Sequence, residues 1–133
     1  NLLAALRAAQ WSHWTSHWQA KGGYGDHILL ERLYSVITEE IDQLAEKIVS
    51  YYGPGSVDPV LQAEIMTEIL KRHSVPDPIL RALRMEQVLQ AIFLETFNSL
   101  ETLGQMSLGL NDYIASLANA HETAIYLLQQ RLR

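Results

Sequence analysis

The segment between "KGGYGD" and "YYGPG" places its apolar residues on a helical period. From about Asp26 to Tyr52 these residues recur at spacings of three and four, as Leu30, Leu33, Ile37, Ile41, Leu44 and Ile48. That is the period of one face of an α-helix. A long helix with a single apolar face must bury it against other helices or a sheet. Since no strand pattern accompanies it, the segment favours an all-helical fold.

The remaining sequence predicts three further long helices and one short helix. The first long helix runs from Leu2 to Lys21, the third from Pro78 toward Met106, and the last from about Asn111 to Arg133. The short helix begins near Pro59. "SVDPV" and "SVPDPI" each place an aspartate directly before a proline, which is typical of a helix cap followed by proline in the first turn.

These elements predict an all-α fold with a single domain over residues 1–133. No internal repeat and no strand-type alternation is present. The short helix falls between the second and third long helices, where a ferritin-like bundle has its long crossover connection. We therefore expect a ferritin-like four-helix bundle with a short extra helix in that connection.

The composition limits the chemistry open to this chain. It contains no cysteine, so any metal must be held by His, Asp or Glu. The formal net charge is -5, with only 10 Lys and Arg residues, and this balance disfavours a surface that binds duplex DNA. No stretch approaches the roughly 20 apolar residues of a membrane span. We expect a soluble protein that does not bind membranes.

A polar stripe lies on the second helix, opposite its apolar face. It consists of His27, Glu31, Ser35, Thr38, Asp42 and Glu46. Such a stripe is most often a solvated face. His17 favours a different interpretation, because antiparallel pairing of the first two helices would bring it toward His27. Imidazole and carboxylate ligands without sulfur suit a first-row divalent metal such as iron, manganese or zinc.

The length of the stripe decides how such a metal site could close. Glu31 and Asp42 are separated by roughly 16 Å along one helix, whereas every ligand must come within about 2.0 to 2.2 Å of the metal. One subunit cannot bring both ends together. Two antiparallel copies of the helix, related by a two-fold axis, would place His27 and Glu31 opposite Asp42 and Glu46 of the partner subunit. A site inside one bundle would instead need Glu-x-x-His motifs, and the chain has none.

The segment "HWQAKGGYGDHILLERLYSVITEEIDQLAEKIVSYYG" resembles the signature region of the Dps family of mini-ferritins. The family pattern is His-Trp, a short turn with glycine, a second His, an acid four residues later, and Asp-x-x-x-Glu further along. It is matched in order by His17, Trp18, His27, Glu31, Asp42 and Glu46. The turn between the two histidines is slightly shorter here than in the commonest members.

The resemblance implies a function, a set of metal ligands and an assembly. The metal ligands would be His17, His27 and Glu31 of one subunit with Asp42 and Glu46 of its partner. The implied activity is that of a cytoplasmic ferroxidase, which oxidises ferrous iron with hydrogen peroxide or oxygen and thereby protects against oxidative damage. The ferric mineral would be stored inside a homo-oligomeric shell of twelve subunits.

Several residues outside this ligand set have weaker signals. Trp18 is a candidate catalytic residue that could pass an electron or quench a radical, although packing is an equal alternative. His13 forms a His-x-x-x-His pair with His17, but a pair of this kind without a third ligand is usually incidental and does not bind metal. Asp112 is a candidate for an iron entry pore. Trp11 and Trp14 are expected in the core or an interface. The isolated His73 and His121 are expected at the surface or in hydrogen bonds.

Two other functions remain open at this point. One is a nucleoid protein that compacts DNA through a basic tail, but neither visible end of the sequence is rich in lysine. The other is a structural shell component that has the family fold and lacks its chemistry. Iron-dependent activity separates both from a ferroxidase.

Overall fold

The computed structural model describes all residues from Asn1 to Arg133 and contains helices without any strand. The helices are α1 (Leu2–Gln19), α2 (Tyr24–Tyr52), α3 (Pro59–Arg72), α4 (Pro78–Thr102) and α5 (Leu108–Leu132), and a short 3₁₀ turn spans Pro54–Ser56. The all-α class, the four long helices and the shorter helix in the connection are thereby confirmed. None of the helices combines the length and the apolar character that a membrane span requires.

Side-chain caps fix the starts of three helices. Asp58 accepts a hydrogen bond from the Val60 amide at 3.1 Å, and Asp77 accepts one from the Ile79 amide at 2.8 Å. Both Asp-Pro predictions are therefore confirmed. The last helix starts earlier than predicted, because Ser107 accepts a hydrogen bond from the Leu110 amide at 3.0 Å and caps α5 there.

Contacts between helices define the course of the chain. α1 and α2 are antiparallel neighbours joined by a short turn, and Arg81 near the start of α4 binds Ser16 near the end of α1. Arg131 at the end of α5 binds Asp26 at the start of α2. α4 therefore runs antiparallel to α1 and parallel to α2, while α5 is antiparallel to α2 and α4. The connection from α2 to α4 crosses the whole length of the bundle and contains α3.

The apolar face of α2 is buried as predicted, with Leu30, Leu33, Ile37 and Leu44 in the interior. The interior has two apolar clusters, a larger one that contains Leu6, Phe93 and Leu117 and a smaller one that contains Leu30, Ala124 and Leu128. His121 lies on α5 between Leu117 of the larger cluster and Ala124 of the smaller one. Polar side chains thus enter the interior near the boundary of the two clusters.

The two phenylalanines of α4 provide a test of this packing. Phe93 is 1% exposed, whereas Phe97 is only partly buried. We predict that Phe93→Ala lowers the free energy of unfolding by about 3 to 5 kcal/mol, because it leaves a cavity in the core. Phe97→Ala, which is the same substitution one turn later, should cost clearly less. Chemical denaturation measures both, and equal losses would contradict this description of the core.

Candidate metal half-site and a buried histidine–glutamate network

The turn between α1 and α2 brings His17 and His27 together. Gly23 in this turn has a φ of 101°, a conformation that side chains with a Cβ rarely adopt. Gly22 lies directly against the carboxylate of Asp26, so a Cβ at that position would collide with it. Arg131 of α5 holds the same carboxylate with two hydrogen bonds. The turn is therefore compact and anchored to the last helix.

The imidazole rings of His17 and His27 stack, with their centroids 3.7 Å apart and an angle of 25° between their planes. Nδ1 of His17 donates a hydrogen bond to the carbonyl oxygen of His27 at 2.8 Å, and Nδ1 of His27 donates one to the carbonyl oxygen of His17 at 3.3 Å. A carbonyl oxygen can only accept, so Nδ1 of each ring carries a proton. In the neutral form of such a ring Nε2 has the free lone pair, which is how a metal-binding histidine is usually held.

The pair lies at the edge of the bundle interior, with one histidine buried and the other open to solvent. His17 is buried, with 8% exposed, whereas His27 is exposed. Neither Nε2 atom has a hydrogen-bond partner within the subunit. A ligand from outside the chain can therefore approach the exposed His27 ring, which stacks on His17.

The carboxylates of the stripe are exposed and have no ion-pair partner within the subunit. All six stripe residues are exposed, which confirms a polar face separate from the apolar one. Glu31 follows His27 by one helical turn and lies on the same side of α2. Asp42 and Glu46 lie further along the helix, and no group of three His, Asp or Glu side chains within the subunit is arranged to hold a metal ion. The subunit thus brings together the two histidines of the expected ligand set and leaves the two distant acids apart.

The aromatic ring beside His17 is Tyr34 rather than Trp18. The centroids of the His17 and Tyr34 rings are 5.4 Å apart in an edge arrangement. Trp18 is 58% exposed, and its ring contacts are with Trp11 and Trp14. The sequence predicts Trp18 as the candidate catalytic residue because it directly follows His17. Successive side chains of a helix point in different directions, however, so Trp18 does not contact the His17 ring.

A second cluster of ionisable groups, which is not among the residues predicted from the sequence, lies inside the bundle. It contains one residue from each long helix, namely His13, Glu40, Glu86 and His121. His13 Nε2 donates to one oxygen of Glu86 at 2.8 Å, and His121 Nδ1 donates to the other at 2.5 Å. His121 Nε2 donates to Glu40 at 2.7 Å. We call this chain of hydrogen bonds the buried network.

Burial and hydrogen bonding act in opposite directions on the groups of the buried network. Burial alone raises the pKa of Glu86, but hydrogen bonds from His121 and His13 outweigh it and lower the pKa to about 2. Burial alone lowers the pKa of His121, and the hydrogen bonds to Glu40 and Glu86 outweigh it and raise the pKa to about 10. At neutral pH the interior therefore holds the imidazolium of His121 paired with the carboxylate of Glu86.

The geometry of the buried network suits mutual pairing and not chelation of one metal. The two ring nitrogens of His121 point in opposite directions and each is bound to a different carboxylate. His13 Nδ1 is the only buried side-chain nitrogen or oxygen atom without a hydrogen-bond partner. The hydrogen bonds lead from His13 through Glu86 and His121 to Glu40, and these side chains do not form a group that could hold a metal ion.

A signal for the buried network was present in the sequence. Glu86 falls on the period of Ala82, Leu89 and Phe93, all of which are buried. His121 similarly falls on the period of Leu117, Ala124 and Leu128. A charged residue at a core position of the period indicates a buried and paired group. Of the two alternatives predicted for His121, a surface position or a hydrogen-bonded one, the structure confirms the hydrogen-bonded one.

The shifted pKa values predict a stability profile with an acid limb and an alkaline limb. His121 has a higher pKa in the folded state, so its contribution is complete below pH 6.5 and is lost as the pH rises toward about 10. Glu86 has a lower pKa in the folded state, so its contribution is complete above pH 4.5 and is lost as the pH falls toward about 2.

Urea denaturation across this pH range measures the profile. In a His121→Gln variant we expect the decline in unfolding free energy above pH 6.5 to become much shallower, because this titration is removed. A His73→Gln variant is the matched control, since His73 is a partly exposed histidine outside the buried network. An alkaline limb of equal slope in native protein and His121→Gln would contradict the assigned cause.

Comparison with known proteins gives no assignment of the chain to a family. No family model, no curated protein and no solved structure matches it.

Proposed function

We propose that this chain is a Dps-type mini-ferritin that binds and oxidises ferrous iron at sites shared between two subunits. The observation that carries the proposal is the His17–His27 pair. Both rings are fixed through Nδ1 to backbone carbonyl oxygens, and neither Nε2 atom has a hydrogen-bond partner within the chain. Two imidazoles preset in this way, beside unpaired carboxylates, form one half of a metal site.

The course of the helices supports a ferritin-like bundle. Parallel α2 and α4, joined by one connection that runs the length of the bundle, distinguish this topology from a simple up-and-down bundle. The short α3 lies in this connection and packs on α1, where Gln62 accepts a hydrogen bond from Arg7 at 2.8 Å. This is the arrangement that the sequence resemblance implies.

The second half of the site comes from a two-fold partner in this proposal. Asp42 and Glu46 are exposed, and they lie too far along α2 to join His27 and Glu31 of the same chain. Two antiparallel copies of α2 would place these acids of the partner subunit opposite the histidine pair. A two-fold axis creates two equivalent sites at once, so each subunit contributes to both.

The ligand types fit the oxidation of iron as a substrate. Carboxylate oxygens are hard ligands that favour the ferric over the ferrous ion, and the imidazoles bind either. A site with few protein ligands leaves positions for peroxide or oxygen. The net charge of -5 raises the local concentration of cations around a shell. Asp112 is exposed near the start of α5 and is retained as a candidate for an entry pore.

A shared site predicts a specific pattern of complementation. We expect His27→Ala and Asp42→Ala each to lose most of the initial rate of ferrous oxidation, because every site lacks one ligand in either variant. In a dimer with one subunit of each kind, one site has both defects and the other has none. Unfolding and reassembling the two variants together should therefore restore part of the rate.

Suitable controls make the complementation experiment decisive. Glu64→Ala removes an exposed carboxylate on α3 and should keep the native rate. Circular dichroism checks that each variant is folded, and mass spectrometry with a mass-labelled variant checks that mixed assemblies form. No recovery in proven mixed assemblies would refute the shared site and leave the stripe as a solvated face.

The proposed site also requires an assembly of at least two copies of the 15.1 kDa chain. We predict a closed oligomer in light scattering at micromolar concentration, with a dodecamer as the number that the resemblance implies. The physical requirement is the two-fold interface, because the ligand set closes only there. A monomer in the presence of ferrous iron would contradict the proposal.

A further inference from the structure

The turn that carries the histidine pair is fastened to the last helix by one ion pair. Asp26 lies in the first turn of α2, and Arg131 lies near the end of α5. Both carboxylate oxygens of Asp26 accept hydrogen bonds from Arg131, one from Nε at 2.5 Å and one from Nη2 at 2.9 Å. We call Asp26 and Arg131 the turn ion pair.

The two partners of the turn ion pair differ in their exposure to solvent. The Asp26 side chain is 6% exposed, whereas the Arg131 side chain is 45% exposed. A carboxylate with so little access to water is stable only when its charge is paired, and a two-point bond to a guanidinium is stronger than neutral hydrogen bonds. Asp26 therefore depends on Arg131 to stay inside the bundle.

The backbone of the turn packs directly on the turn ion pair. A Cβ at Gly22 would lie 1.8 Å from Oδ2 of Asp26 and 2.9 Å from Nη2 of Arg131, so only glycine fits there. The turn ion pair thus determines how closely the chain between α1 and α2 approaches the bundle.

His27 is the member of the histidine pair that most needs this support. It follows Asp26 directly and is exposed. Its own hydrogen bond to the carbonyl oxygen of His17 is 3.3 Å long, whereas the bond from His17 to the His27 carbonyl oxygen is 2.8 Å long. Both bonds require the first turn of α2 to lie against the end of α1. A displacement of Asp26 would move the adjacent His27 backbone and lengthen both bonds together.

We infer that Asp26 and Arg131 are positioning residues that hold His27 in the orientation in which it binds a metal ion. This inference rests on the function proposed above. The turn ion pair fixes the backbone of the first turn of α2, and backbone hydrogen bonds then fix the ring through Nδ1. A ring that is already ordered loses less conformational freedom when the metal binds. The turn ion pair therefore raises the affinity for metal and does not take part in the oxidation.

A metal-free measurement tests the positioning role independently of iron chemistry. In assembled protein with isotopically labelled histidine nitrogens, solid-state NMR distinguishes a ring protonated at Nδ1 from one protonated at Nε2, at a mildly alkaline pH where an exposed imidazole is neutral. The His27 signal is identified by its absence in a His27→Gln variant. We expect native His27 to be protonated at Nδ1 alone, and Asp26→Asn and Arg131→Gln to show a mixture of both forms.

Zinc binding measures the consequence for the metal site, because zinc accepts the same ligand types as iron and undergoes no redox reaction. In calorimetric titration of the assembled protein, Asp26→Asn and Arg131→Gln should each raise the zinc dissociation constant about tenfold, as the loss of an outer-shell partner does. Arg131→Lys keeps the charge without the two-point fork and should lie between these variants and native protein. In ferrous oxidation the same variants should raise KM and leave kcat close to native.

Two control variants separate positioning from a general loss of stability. Arg133→Gln makes the same substitution at an exposed arginine in the same terminal segment and should behave as native protein in both measurements. Phe97→Ala lowers stability through a partly buried side chain far from the turn and should also keep the His27 signal and the zinc affinity. If the turn ion pair acted only through stability, Phe97→Ala would weaken zinc binding as much as Asp26→Asn does.

Native His27 protonation and native zinc affinity in folded Asp26→Asn and Arg131→Gln would overturn the positioning role, even if the native protein oxidises iron. Arg131→Lys provides the same test if the other two variants do not fold. A native protein that neither binds zinc nor oxidises iron would instead refute the proposed function. Loss of the Nδ1 proton from His27 in the variants would still support the role of the turn ion pair in holding the ring.

Discussion

The buried network of His13, Glu40, Glu86 and His121 is the interaction on which the alignment of the four long helices depends. Glu86 has no exposure to solvent, and an unpaired charge at such a position costs several kcal/mol. Sliding any one helix by a single residue would remove a partner from this chain of hydrogen bonds. The network therefore selects one register among the many that apolar side chains alone would tolerate.

The same register determines the geometry of the candidate metal half-site. His13 of the network and His17 of the half-site lie one turn apart on α1, and Glu40 fixes α2, which carries His27 and Glu31. The ionisable groups inside the bundle are paired with each other, whereas those of the stripe lack partners in the subunit. In the proposed function, the paired groups inside the bundle hold the helices in place, and the unpaired carboxylates of the stripe remain available to a metal ion.

The local features of the fold could be predicted from the sequence, and the contacts between helices could not. The period of α2, the capping aspartates Asp58 and Asp77 and the exposed stripe all depend on neighbours within a few residues. The pairing of Glu86 with two histidines depends on which helices are adjacent, which spacing along one helix does not specify. Tyr34 was missed for the same reason, since its contact with His17 arises from the packing of α1 on α2.

The proposed metal site contains ligands from two subunits, and anomalous diffraction from crystals of the protein loaded with ferrous iron without oxygen would locate the metal. For a shared site we expect an iron peak about 2.0 to 2.2 Å from Nε2 of His17 or His27 and at a similar distance from Asp42 or Glu46 of the partner subunit. An iron peak inside the bundle at Glu86 and His121, or one with ligands from a single chain, would refute the shared site.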